Sequence, residues 1–217
     1  MLKQWSAVDD YITDSLVKPD DALQRALDES AKAGLPSFNV TPPQGKLLHL
    51  IAQIHGAKRI LEIGLLGGYS TIWMARALPP DGKIISLDHN KKYAAVARAN
   101  LEYAGLDKLV DIRIGTALNI LPTLEGPFDL IFIDADKPGN PDYFQWALKL
   151  SRPGSVIIVD NVVRNGEIAK ADSDDSSVQG TRRMNELIHA EPRVSATAIQ
   201  TVGGKGYDGF TLIRVLR

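Results

Sequence analysis

Acidic residues close several apolar runs in this chain, and each run leads into a turn. Lys83-Ile84-Ile85-Ser86-Leu87-Asp88 ends in Asp88, Phe132-Ile133-Asp134 ends in Asp134, and Val159-Asp160-Asn161 ends in an acid–amide pair. Asp134, Asp160 and Asn161 at the ends of adjacent strands would form a set of hard oxygen ligands without sulfur or imidazole. Such a set favours Mg2+, with Ca2+ or Mn2+ able to substitute. Taken singly, each acidic strand end is also an ordinary turn former. Lys137 follows Asp134 by three positions on the same loop. It is either a solvated lysine or a general base, since a neighbouring cation favours the neutral amine.

A second kind of chemistry lies in Arg59-Ile60-Leu61-Glu62-Ile63-Gly64-Leu65-Leu66-Gly67-Gly68-Tyr69-Ser70-Thr71. This stretch reads as a buried strand, a glycine-rich turn and the start of a helix, a junction that lets a ligand approach the backbone closely. A dinucleotide site wants Gly-x-Gly-x-x-Gly with a pyrophosphate on the helix start. Here the third position is Leu66, and Glu62 stands just before the first glycine, where a carboxylate repels phosphate and attracts a cation. Asp88, closing the next strand, suits ribose hydroxyls; alternatively it caps the helix that begins near Asn90. S-adenosylmethionine (SAM) carries an ammonium and a sulfonium and no phosphate, so it fits the acidic turn better than a dinucleotide does.

The elements that must position these groups follow from periodicity. Residues 4 to 33 have helical spacing, broken at Lys18-Pro19-Asp20, with Asp20 as N-cap of the second helix. Thr41 caps a helix starting at Pro42 or Pro43 and stopping near Gly56. Strands are expected at 58–63, 83–88, 109–114, 128–133 and 155–160, and helices near 69–78, 91–104, 117–124 and 141–151. Arg152-Pro153-Gly154 should turn the chain into the fifth strand. A helix around 178–190 and two β-like runs, 193–201 and 208–216, complete the chain. Short apolar runs alternating with helices predict a doubly wound, mostly parallel α/β sheet with helices on both faces and a C-terminal antiparallel hairpin. One domain over 1–217 is expected, its helical segment 1–56 shaping the substrate entrance and 57–217 forming the cofactor-binding and catalytic core.

Composition narrows the function classes. The chain has 217 residues, 44% hydrophobic and 24% charged, and 25 basic against 26 acidic residues give a net charge of -1. That balance points to no nucleic-acid or membrane partner. The absence of cysteine excludes disulfides, thiolate metal sites and a cysteine nucleophile. Lys3, Asp9, Asp10 and Asp14 interrupt any apolar signal-peptide core, so a cytoplasmic location is expected.

The segment Glu62–Ser70 resembles the motif of metal-dependent class I O-methyltransferases, the caffeoyl-CoA and catechol O-methyltransferase-like family. The most specific matches are Phe132-Ile133-Asp134-Ala135-Asp136-Lys137 and Val159-Asp160-Asn161-Val162-Val163. The resemblance implies a Rossmann-like fold, with Glu62 and Gly64 along the methionine part of SAM, Ser70 at its carboxylate, Val40 covering it, and Leu65 and Gly68 also among the cofactor-binding residues. Asp88 would hold the ribose, His89 and Ala117 would flank the adenine, and Asp134 would serve both cofactor and metal. It further implies a metal on Asp134, Asp160 and Asn161, Lys137 as catalytic base, a catechol-like or vicinal-diol acceptor and a homodimer. Arg164 stands where many relatives carry an aromatic residue, and Pro138-Gly139-Asn140-Pro141 replaces a tyrosine-bearing stretch, which argues against the plant caffeoyl-CoA substrate. The acidic Asp172–Asp175 loop reads as solvated or as part of a lid. Competing readings are a nucleotide-dependent oxidoreductase and a non-catalytic binding protein on the same fold.

Overall fold

The computed structural model describes residues 1–217. At the N-terminus, α1 (Leu2–Ile12) runs into a wider turn at Thr13–Val17, and Lys18 in a left-handed conformation ends it. Asp20 caps α2 (Asp21–Lys32) by accepting from Leu23 N, and Thr41 caps α3 (Pro42–His55) by accepting from Gln44 N. Both caps fall where the sequence predicts them. Gly56, at φ +66°, ends α3.

Five parallel strands follow: β1 (Arg59–Ile63), β2 (Lys83–Asp88), β3 (Val110–Ile114), β4 (Phe128–Ile133) and β5 (Ser151–Asp160). They alternate with α4 (Tyr69–Ala75), α5 (Lys91–Tyr103), α6 (Ala117–Ile120) and α7 (Asn140–Lys149). After α8 (Ser176–Ala190), β6 (Val194–Gly203) and β7 (Gly206–Val215) form the antiparallel hairpin. The seven-stranded order is β3-β2-β1-β4-β5-β7-β6, with β7 antiparallel to β5. The chain winds outward from β1 to β3 and then crosses to β4, so the crevice between β1 and β4 is the topological switch point, where open α/β sheets bind ligands.

Strand alternation sorts side chains to the two faces. Leu61, Ile63, Ile131, Ile133 and Val159 pack with Phe144 of α7 and Met184 of α8. On the other face Ile60, Ile84, Leu130 and Phe132 pack with Leu48 of α3 and Ile72 of α4. All six residues of β4 are buried, as expected for a central strand covered on both faces.

Several boundaries differ from expectation; among them, α6 ends at Ile120 and passes into a tighter turn at Leu121–Thr123 instead of running on to 124. Helix α4 ends at Ala75 rather than near 78, because three-residue hydrogen bonds to Met74 O and Ala75 O tighten its last turn ahead of Pro79-Pro80. Strand β5 begins at Ser151, and Arg152-Pro153-Gly154 is an irregularity within it rather than a turn into it. Ser155 Oγ accepts from Arg152 N and donates to Phe128 O, which carries the pairing across the break.

Candidate active site

The carboxyl ends of the parallel strands open into one cavity of about 1260 Å³. The strand register brings its walls together. Ile63 pairs with Ile133 and Ile133 with Val159, so Gly64, Asp134 and Asp160 follow one another across three neighbouring strands. Gly64 is essential to this meeting. Its φ is +106°, and a Cβ there would lie 2.1 Å from the Asp134 carbonyl oxygen. No side chain fits.

On the β1–β2 side the crevice is built from backbone. Leu66 adopts a left-handed conformation at φ 48°, which costs a non-glycine residue about 1–2 kcal/mol. Asp88 holds it there: Oδ2 accepts from Leu65 N at 3.3 Å and from Leu66 N at 3.0 Å, while Oδ1 accepts from Asn90 N at 2.8 Å. Three of the four acceptor positions of this carboxylate are thereby used, leaving one on Oδ1. The alternative role of Asp88 as a helix cap falls to Asn90, whose side chain accepts from Lys92 N and Tyr93 N. Leu65 turns its side chain away, into a small cluster with Ala94 and Ala97 of α5.

Glu62 lies behind this wall. It shares the face of β1 that carries Ile60 and is 0% exposed beneath α4. Ser70 Oγ donates to its Oε1 at 2.6 Å, and Thr71 Oγ1 and Ser86 Oγ donate to its Oε2 at 2.6 and 2.5 Å. Burial pushes its carboxyl up to about 7 against the pull of these hydroxyls. Ser70 borders the cavity and Glu62 does not. Gly68, at φ +82°, likewise stays off the cavity, facing Ala97 of α5. Val40, Gly64, Leu65, Ser70, Asp88 and His89 do line it, as does Ala117 at the start of α6. His89 is 81% exposed at its side chain and stands 3.9 Å from Asp88.

On the β4–β5 side the crevice is built from side chains. Asp134 and Asp160 face each other, and Lys137 Nζ donates to Asp134 Oδ1 at 2.9 Å. Lys137 is 7% exposed and Asp160 4%. Burial, and then the charge of Asp134, push the Asp160 carboxyl up to about 7, with Lys137 opposing. A buried carboxylate and a partly buried one, repelling each other beside a lysine, form a place that a cation would stabilise. No group of three or more His, Asp or Glu side chains that could hold a metal ion converges in the chain. Asn161 has φ 55°, which turns the chain sharply at the end of β5.

Residues beyond the sequence-based expectations hold this side in place. Tyr143 OH donates to Asp136 Oδ1 at 2.5 Å, and Gly139 N donates to Asp136 Oδ2, fixing the loop that carries Lys137. Gly180 of α8 admits that loop, since a Cβ there would lie 2.3 Å from Lys137 O. Asp208 of β7 accepts from Val163 N, Arg164 N and Gly209 N through one oxygen, pinning the segment after Asn161. Lys205, at the tip of the β6–β7 hairpin, lines the cavity and donates to the carbonyls of Ser37 and Asn39. A glycine within a helix and an aspartate within a strand were the available signals for Gly180 and Asp208; Lys205 has none.

A crevice of this form, with an amide-lined turn beside Asp134 and the buried Asp160, is that of an α/β enzyme joining a nucleoside-type cofactor to a polar acceptor. The chain belongs to the O-methyltransferase family, whose pattern it matches over residues 14–216. It is 53% identical over 212 residues to the catechol O-methyltransferase of Niastella koreensis, covering 96% of each chain. The O-methyltransferase from Bacillus cereus, solved in complex with SAH, superposes at TM-score 0.97 with 55% identity, covering 99% of this chain and 100% of that one. An O-methyltransferase from Streptomyces achromogenes, solved with SAM, superposes at TM-score 0.97 with 50% identity over 100% of this chain and 99% of the other. No helix is long and apolar enough to cross a membrane.

Proposed function

We propose that this O-methyltransferase transfers the methyl group of SAM to one hydroxyl of a small catechol-like acceptor held by a divalent cation, Mg2+ in the first instance. The observation that carries the reading is the contact between Gly64 and Asp134: the turn suited to a methyl donor and the carboxylates suited to a cation share one wall. The cradle at Gly64, which a Cβ would fill, fits the close approach of a cofactor. The all-oxygen set of Asp134, Asp160 and Asn161 fits a hard cation. When bound, SAM supplies an electrophilic methyl group and the cation acidifies the acceptor hydroxyl.

The chain's own residues do the rest. Asp88 offers its remaining acceptor position to a ribose hydroxyl, with His89 and Ala117 toward the adenine, Val40 over the methionine part and Ser70 toward its carboxylate. Lys137 stands at Asp134, on the acceptor side, and would take the acceptor's proton as the oxygen becomes anionic. Methyl then passes from a cationic sulfur to an anionic oxygen. Charge is neutralised in that step, so a water-poor cavity favours it, and alignment of the two reactants supplies much of the rate, on the order of 7–11 kcal/mol. A dinucleotide-dependent oxidoreductase is disfavoured because Leu66 occupies a position such sites reserve for glycine, and because Asp88 fills the turn from below.

The test is a SAM titration followed by methyl transfer to a panel of catechols and monophenols, with and without EDTA. Cofactor binding and EDTA-sensitive transfer restricted to vicinal diols are expected. Turnover indifferent to EDTA, or no binding of SAM, would sink the proposal. Light scattering checks the homodimer expected from resemblance.

A further inference from the structure

The three hydroxyls around Glu62 pose a problem of proton supply. Ser70, Thr71 and Ser86 each carry one hydroxyl proton, and all three are directed at the two oxygens of a carboxylate with no exposure to solvent. Of the three, only Ser70 borders the cavity. While Glu62 is ionised, the Ser70 proton is committed inward, and the hydroxyl presents only lone pairs to a ligand. Such a surface accepts from a cation and repels a carboxylate. If Oε1 carries a proton instead, it donates to Ser70 Oγ, and the Ser70 proton is free to turn into the cavity. Thr71 and Ser86 still donate to Oε2, so no group is left unsatisfied in either state.

We propose that Glu62 is a positioning residue that takes up one proton from solvent when a carboxylate-bearing ligand binds at Ser70, switching Ser70 from acceptor to donor. The inference rests on the reading of the cavity as a SAM site. The groups facing Glu62 agree with an easily gained proton. From α4 come Ser70 and Thr71, from β2 comes Ser86, and from the end of β4 comes the negative charge of Asp134. Burial already holds its carboxyl near 7, so the proton is gained at modest cost close to neutral pH.

Calorimetric titration of S-adenosylhomocysteine at pH 8 in phosphate and in Tris reads the linked proton directly. The two buffers differ in ionisation enthalpy, and the wild-type heats should differ by the amount for uptake of up to one proton. Affinity should fall with pH above about 7, approaching tenfold per unit. Glu62→Gln presents a permanent N–H to Ser70, so its uptake should vanish and its affinity should be nearly flat from pH 6 to 8.5. Ser70→Ala, which leaves the carboxylate in place, should also abolish uptake. Methylthioadenosine, which lacks the amino-acid end, should bind wild type without it. Equal heats in the two buffers for wild type, or uptake persisting in Glu62→Gln, would overturn the proton link while leaving the cofactor reading intact. Absence of any S-adenosylhomocysteine binding would overturn both.

Discussion

On the β1–β2 side of Gly64 the crevice is made of main chain: amides of Leu65 and Leu66 held by Asp88, and a turn packed so closely that Gly64 has no room for a methyl group. On the β4–β5 side it is made of side chains, with Asp134 and the buried Asp160 and Lys137 meeting at the ends of β4 and β5. The first side is specified by one contiguous strand, turn and helix, with Asp88 of β2 holding the turn. The second depends on supports from α7, close by in the chain, and from α8 and β7, which lie farther along it. A cofactor that is the same in every turnover suits the main-chain wall. An acceptor that must be oriented and deprotonated suits the side-chain wall.

Gly64→Ala should break both sides at once, because the added carbon strikes the Asp134 carbonyl, backbone that cannot swing away. We expect S-adenosylhomocysteine affinity and turnover each to fall by at least about 10²-fold, the scale of a forced backbone shift. Calorimetry and a methyl-transfer assay on the folded variant measure this; retained binding would show that the turn is not the cofactor wall. Lys137→Ala should separate the two sides. Its kcat should fall on the order of 10²–10⁴-fold, the range of a lost general base. S-adenosylhomocysteine affinity should hold within about threefold, and a parallel loss of affinity would mean the lysine serves the cofactor.

Each side also holds one buried carboxylate pushed up to about 7, Glu62 and Asp160, from ordinary values of 4.5 and 3.8. A carboxylate whose folded value exceeds its unfolded one contributes stability that is fully present below the unfolded value and is lost as pH rises through the folded one. Metal-free protein should therefore lose thermal stability between about pH 4 and pH 7, and Glu62→Gln and Asp160→Asn should each flatten part of that loss. The two sides should then diverge on adding Mg2+ at pH 8. The metal should raise the melting temperature of wild type and Glu62→Gln, by a shift on the order of 5 °C, and leave Asp160→Asn unmoved. A response of Asp160→Asn equal to wild type would place the cation elsewhere.

The main-chain side was the more legible in sequence, because strand, turn and helix are contiguous and the glycines mark the close approach. Even there Glu62 was expected along the cofactor, whereas the two-residue period of β1 carries it to the Ile60 face beneath α4. On the side-chain side, the acid and amide at the ends of β4 and β5 could be read because adjacent parallel strands end together. Their supports could be read only in part. A glycine inside α8 costs about 1 kcal/mol in helix propensity and so signals a packing need, which turned out to be the Lys137 loop. Lys205 is 68 positions past Lys137 by sequence number, on a hairpin whose fold-back no local pattern specifies.

Lys205 gives the smallest expected effect, and it tests whether the side-chain side extends to the N-terminal segment. The hairpin tip is fastened there twice: Gly204 N donates to Asp9 Oδ2 at 2.7 Å, and Lys205 Nζ donates to the carbonyls of Ser37 and Asn39. These contacts join the hairpin tip to the segment that precedes Val40, and both line the cavity. Lys205→Ala removes an exposed, solvent-screened hold, so global stability should change by no more than about 0.5 kcal/mol. The loop at 37–39 would gain freedom over the acceptor, and KM for the catechol should rise by roughly 3- to 10-fold, with S-adenosylhomocysteine affinity unchanged. Asp9→Ala should move KM in the same direction by less, because its partner is a single main-chain amide. If instead Lys205→Ala weakened S-adenosylhomocysteine and left the acceptor KM alone, the hairpin would belong to the cofactor wall, and the division of the crevice at Gly64 would have to be redrawn.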